Sequence, residues 1–256
     1  MAIPSLREIQ AANASVNDNG YLLLTLTRPV GPYLAWLWIR LGLTPRQINY
    51  LSIVFGLLLL ALAATGGRGN LIAATALCFV WQAIDVSDGT MARALVIRDN
   101  FGGFVDYSSG MLIVAFLPLC LGLGAYAGPD GSLAALASIL FPKYRPEPAL
   151  IIAVGATISV ISLYMRLINR VLQIRFGASL SDPEKGNGDA GKLRWLRNIL
   201  KNVETVGGVQ VVIFFVGTLA GVLEAVLFLY LLLYVVLIVA FAASVYRTYG
   251  HRRAYL

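Results

Sequence analysis

The sequence predicts an all-α integral membrane protein: six transmembrane helices preceded by an N-terminal interfacial amphipathic helix. Three observations predict it. Of 256 residues, 58% are apolar and only 13% charged, with a mean hydropathy of +0.76. A soluble domain carries about 25% charge, and a chain this poor in polar groups needs lipid as the solvent around most of its surface. Apolar runs of about 20 residues, the length a helix needs to cross a bilayer, recur along the chain. Finally, Lys and Arg are unevenly shared between the connecting segments, the asymmetry that orients membrane proteins.

Taken in order, residues 1–20 are polar and include Glu8 and Asp18. No cleavable signal peptide is expected there, so the first span acts as its own insertion signal. Pro29–Leu41 mixes Tyr33, Trp36 and Trp38 with aliphatic residues and ends near Arg40, which reads as a helix lying in the interface. Residues 1–42 therefore form a cytoplasmic and interfacial segment. The membrane domain covers 43–247, and a cytoplasmic tail covers 248–256.

Six spans are expected: Ile48–Ala64, Leu71–Ala92, Gly102–Ala125, Ala149–Gln173, Val206–Val222 and Ala225–Tyr246. Backbone groups facing lipid must be satisfied within their own segment, which selects helices. Thr44, Pro45 and Gln47 make a start signal for the first span, a Thr-x-x-Gln capping box with proline at the first helical position. The turns Gly66–Gly69 and Gly221–Glu224 are short and imply antiparallel neighbours. Ser132–Phe141 is too short to cross and is expected to be interfacial or re-entrant. Ser181–Gly191 reads as a cytoplasmic connector; it lacks the strand and the Gly-Lys-Ser/Thr of a phosphate-binding loop.

With six spans, one side of the membrane holds all of the 20 Lys and Arg residues except Arg68, Lys143 and Arg145. That side is expected to be cytoplasmic, with both termini on it, in the cell (inner) membrane. The net charge of +7 then reflects anionic lipid headgroups; no aromatic-interleaved basic motif suggests nucleic acid. Cys78 and Cys120 lie inside apolar runs, outside any metal-ligand spacing, and read as buried small residues. His251 stands alone among basic residues.

Carboxylates inside spans are rare and usually functional. Asp85, Asp88, Gly89 and Ala92 fall on one helical face, and Gly102, Gly103 and Asp106 open the following span. Carboxylates one turn apart repel unless a cation lies between them, and an all-oxygen ligand set suits a hard ion such as Mg²⁺ or Mn²⁺. Gly89 and Ala92 leave the face bare enough for a bulky ligand, and Arg93 and Arg98 at the helix end suit a phosphate. Singly, each piece has a plainer explanation: aspartates pairing with arginines at a helix end, or small residues at a helix contact. Together they favour one shared site. A transporter with an ion at the membrane midplane is a rival reading, but the cluster lies toward one side and no inverted repeat is visible.

These residues resemble the signature of the CDP-alcohol phosphotransferases: Asp-x2-Asp-Gly-x2-Ala-Arg, about eight residues, then Gly-x3-Asp-x3-Asp. Here Asp85, Asp88, Gly89, Ala92, Arg93, Gly102 and Asp106 match at that spacing, and Leu43–Ile48 is similar to the Leu-Thr-Pro-Asn start of that family. The resemblance spans roughly residues 28–246. It implies transfer of a phosphoalcohol group, such as phosphatidyl, from a CDP-linked lipid or alcohol donor to a hydroxyl or phosphorylated acceptor, releasing CMP. It implies Mg²⁺ or Mn²⁺ on Asp85, Asp88 and Asp106, and a nucleotide seat at Asp85, Asp88, Gly89, Ala92, Arg93 and Gly102. It also implies acceptor contacts at basic residues such as Arg166 and Arg170, with Arg197 and Lys201 as further candidates, and a homodimer, for which Gly207, Gly208 and Gly217 would allow close packing.

The last Asp of the pattern is Gly110 here. The resemblance gives that position the second metal site and the general base. Three consequences are open: a substitute base, with Glu204 expected ahead of Tyr107; an acceptor oxygen already ionised; or binding of CDP-lipid or nucleotide without turnover. Asp106 and Glu204 are accordingly the expected catalytic carboxylates. Glu224, near a turn on the far side, is expected to be solvated.

Overall fold

In the computed structural model, the described residues are 3–14, 22–97, 100–143, 146–176 and 208–249. They form helices α1 (Leu6–Ala14), α2 (Leu22–Thr27), α3 (Gly31–Arg40), α4 (Pro45–Thr65), α5 (Arg68–Ala94) and α6 (Asn100–Ala127). These are followed by α7 (Ser132–Leu140), α8 (Leu150–Phe176), α9 (Gln210–Ala220) and α10 (Leu223–Tyr249); no strand occurs among the described residues. Five helices, α4, α5, α6, α8 and α10, are long and apolar enough to cross a membrane, and α9 is a shorter apolar helix. The chain is thus an all-α, multi-pass membrane protein.

Local chemistry explains the helix boundaries. Thr44 caps α4: its Oγ1 accepts from Gln47 N at 3.3 Å while Thr44 N donates to Gln47 Oε1 at 2.8 Å. At the other end, Gly66 and Gly67 turn the chain with φ of +77° and +80°, values that cost a side-chain-bearing residue about 1–2 kcal/mol. Arg68, just beyond, donates from Nη2 to Leu219 O at 2.7 Å and so satisfies a carbonyl in the last turn of α9. Inside α6, Pro118 cannot donate to the helix ladder. The next amide, Leu119 N, donates across to Ser159 Oγ of α8 at 3.1 Å.

Packing joins α4, α5, α6 and α8 most extensively, with α10 against α8. Small residues let the backbones meet: a Cβ on Gly122 would lie 2.8 Å from Ile151 O, and one on Gly124 would collide with Ala63 O. The main core includes Trp81, Phe214 and Tyr234. A second, smaller core of Ile9, Ala35, Ile48, Ile84 and Met91 ties α1 and α3 to the start of α4 and to the later half of α5, which carries Asp85 and Asp88. Trp38 Nε1 donates to Ser87 Oγ at 3.1 Å, and this fixes α3 to the same stretch of α5.

Several expectations are refined here. The segment expected in the interface forms α3, and Ser132–Phe141 forms α7. Glu224 is not solvated: it is 6% exposed, because its Oε2 accepts from Leu133 N at 3.2 Å at the start of α7. Gly208 and Gly217 are committed inside the chain. Gly208 O accepts from Leu23 N at 3.3 Å, and Gly217 packs against Val226. Gly207 lies outside the described residues. Cys78 is buried and Cys120 half-buried, both as free thiols.

Candidate functional site

Three helix ends converge on one cavity of about 500 Å³. The start of α4 contributes Thr44, Pro45, Arg46 and Asn49; the end of α5 contributes Asp88, Gly89, Ala92 and Arg93, followed by Ile97. The start of α6 contributes Gly102, Gly103 and Asp106. The capping box sets the first of these edges. The helical repeat sets the second, since positions one turn apart share a face. Asn49 stitches the first to the third by donating from Nδ2 to Gly102 O at 3.4 Å.

Within the cavity wall, Asp88 is buried, and its Oδ1 accepts from Gly89 N. Asp106 is exposed to the cavity mouth. Asp85 is not a lining residue; it lies one turn farther from the end of α5, half-buried, where it feels the charges of both Asp106 and Asp88. Gln82 Nε2 donates to its Oδ2 at 3.4 Å, while its Oδ1 is buried without a partner, as is Asn49 Oδ1. Gly89 keeps the wall low beside Arg93: a Cβ there would lie 3.2 Å from Arg93 Nη1. Gly103 faces open space.

Does this set fit a hard divalent cation? Asp88 and Asp106 line the cavity, and Asp85, close to Ser109 and Asp106, offers a buried carboxylate oxygen without a hydrogen-bond partner. Buried charge of this kind is costly unless paired, and its hard oxygens match Mg²⁺ or Mn²⁺. Among the described residues, no three His, Cys, Asp or Glu side chains are drawn tightly enough together to make a ready-formed metal shell. Asp85 and Asp106 lie within side-chain hydrogen-bonding reach of each other, so the donor chemistry fits although the three carboxylates form no ready-made shell.

Arg93 is exposed at the cavity edge, and neutral oxygens hold it. Its Nη2 donates to Thr90 Oγ1 and to Asn13 Oδ1, both at 3.2 Å. Arg166 and Arg170 do not line this cavity. Arg166 Nε is buried without a partner, and the Arg170 guanidinium lies over the Tyr107 ring. Glu204, Arg98, Arg197 and Lys201 lie outside the described residues. Gly110 is one turn beyond Asp106 on α6, and a Cβ there would meet nothing within 4 Å.

Sequence reasoning missed Asn13, Thr90, Arg46 and Asn49 as members or supports of the site. In the sequence Thr44 and Pro45 stand out as a helix start and as part of the resemblance over Leu43–Ile48, not as cavity lining, and the polar N-terminal segment carries no sign that Asn13 returns to Arg93. No protein-family model matches the chain, and no curated protein matches it.

Proposed function

We propose that the protein is a metal-dependent membrane transferase. It would move a phosphoalcohol group, such as phosphatidyl, from a CDP-linked donor to an acceptor alcohol or phosphate, releasing CMP. The observation that carries this reading is the convergence of Asp88, Gly89, Ala92, Arg93, Gly102 and Asp106 on one cavity. These are six of the seven positions that resemble the CDP-alcohol phosphotransferase signature, and the seventh, Asp85, lies one turn away.

Under this reading Asp85, Asp88 and Asp106 hold Mg²⁺ or Mn²⁺, which when bound neutralises charge on the donor's diphosphate. Bare Gly89 and Ala92 admit the nucleotide along α5, and Arg93 meets a phosphate oxygen. Arg166 and Arg170 serve the acceptor from α8. We further propose six crossings, counting α9, with α3 lying in the interface and the signature end of the bundle facing the cytoplasm together with both termini. The chain would act as a homodimer in the inner membrane.

Gly110 favours a second reading, a protein that binds CDP-lipid or nucleotide without turning it over. General-base catalysis contributes about 10²–10⁴-fold, so its loss slows transfer without abolishing it. The deciding experiment is CMP release from CDP-diacylglycerol by the purified protein and by Gly110→Asp, with Mg²⁺ or Mn²⁺ and a panel of neutral and phosphorylated alcohols. Release by the unmodified protein is the expected result. Release only by Gly110→Asp supports the second reading, and release by neither, with no CDP binding, overturns both.

A further inference from the structure

Asn13 is far from the signature in sequence but adjoins it in space. Its helix, α1, has a defined start: Ser5 N and Ser5 Oγ donate to Glu8 Oε2 at 2.7 and 2.9 Å. These bonds hold the Glu8 carboxyl below its ordinary pKa. One face of α1 then packs down, with Ile9 fully buried among Ala35, Ile48, Ile84 and Met91. Asn13, one turn later on that face, is 6% exposed.

The Asn13 side chain reaches Arg93 at the cavity wall. Its Oδ1 accepts from Arg93 Nη2 at 3.2 Å and from Thr90 Oγ1 at 3.1 Å, and its Nδ2 donates to Arg28 O at 3.5 Å. Arg28 is near enough for its own charge to oppose that of Arg93. A lone guanidinium on an exposed arm samples many rotamers. Two oxygens converging on one nitrogen fix it, and both oxygens are neutral. A carboxylate in place of Asn13 would hold the same nitrogen but cancel the charge that an anionic ligand needs.

We infer that Asn13 is a positioning residue for the cavity: through a neutral amide it fixes the Arg93 guanidinium where a diphosphate group enters, adding no negative charge of its own to that of Asp88 nearby. This rests on the reading above, in which Arg93 meets a phosphate of the ligand. The N-terminal helix is then part of the binding site and not only a surface anchor. A nucleoside diphosphate gains an ordered cation, whereas a ligand without phosphate gains nothing from Asn13.

The test is the affinity of the full-length protein for CDP with Mg²⁺, measured by calorimetry in lipid nanodiscs. The variants are Asn13→Ala, Asn13→Asp, Arg93→Ala and the double variant Asn13→Ala/Arg93→Ala. Each single change is expected to weaken CDP about tenfold, which corresponds to about 1.4 kcal/mol. The double variant is expected to bind no more weakly than Arg93→Ala, because Asn13 acts through Arg93. A merely structural role predicts the opposite, the same loss in both backgrounds, and would overturn the inference. Asn13→Asp is isosteric and guards against loss of fold in Asn13→Ala; unchanged CDP affinity in it would also overturn the inference. If Arg93→Ala weakens CDP and Asn13→Ala does not, only the positioning role falls. If Arg93→Ala binds as the unmodified protein does, or the unmodified protein binds no CDP, the reading of the site falls and Asn13's role with it.

Discussion

The Arg170 guanidinium lies over the ring of Tyr107, 5.3 Å from its centroid. Together with the bond from Leu119 N to Ser159 Oγ, this sets the antiparallel register of α6 and α8. Interpolating between the two contacts places Arg166 within a turn of the level of Gly110. Gly110 and an unpartnered buried cation nitrogen thus occupy the same depth of the bundle.

That placement makes Gly110→Asp a benign substitution for the fold. A Cβ at Gly110 meets nothing within 4 Å, and Asp is no worse a helix former than Gly. The thermal midpoint in detergent should stay within a shift equivalent to about 1 kcal/mol. Gly124→Ala is the control: its Cβ would run into the Ala63 carbonyl, and overpacking of that kind costs about 1–3 kcal/mol. Equal destabilisation by the two changes would refute the open space at Gly110.

Asp88→Asn and Asp106→Asn each keep shape while removing charge from the cavity wall. Both should abolish Mg²⁺-dependent CDP binding, measured by titration with and without chelator. Asp85→Asn should do the same although Asp85 does not line the cavity, because its unpartnered oxygen is the one that most needs a cation. Retained metal-dependent binding in all three variants would discard the site.

Arg166→Ala should raise the KM for a phosphorylated acceptor more than that for the CDP-linked donor, since Arg166 stands apart from the cavity formed by α4, α5 and α6. Equal KM values before and after the change would reduce Arg166 to a charge that anchors α8 at the membrane surface.

What the sequence revealed and what it hid divide along physical lines. Contacts within one or two helical turns were legible. The Thr44–Gln47 box appears as expected, and the spacing of Asp88, Gly89 and Ala92 does place them on one wall. The turn at Gly66 and Gly67 was visible from composition alone. Contacts between distant segments were not legible. Nothing in a polar N-terminal stretch tells that Asn13 returns to Arg93, 80 positions away. The fifth expected span, Val206–Val222, corresponds to a shorter described helix, Gln210–Ala220. Glu224 departs from expectation because a carboxylate beside a turn is usually solvated, whereas its partner here is a backbone amide that sequence patterns do not show.

That partner makes Glu224 a stability determinant. The starts of α7 and α10 cap each other: Leu133 N donates to Glu224 Oε2 at 3.2 Å, and Ala225 N donates to Ser132 Oγ at 3.0 Å. Asp130 joins them by accepting from Ser132 N at 2.8 Å and from Glu224 N at 3.4 Å. First-turn amides have no partner within their own helix, so each helix here supplies what the other lacks. Glu224→Ala would strand the buried Leu133 amide, at a cost of about 1–3 kcal/mol. Glu224→Gln keeps an oxygen acceptor of the same reach and should lose less than half as much. Thermal unfolding in one detergent decides between them. If Glu224→Ala melts with the unmodified protein, the amide finds water and the reciprocal cap is not what joins α7 to α10. If Glu224→Gln melts as low as Glu224→Ala, the negative charge itself, rather than the acceptor, holds the junction.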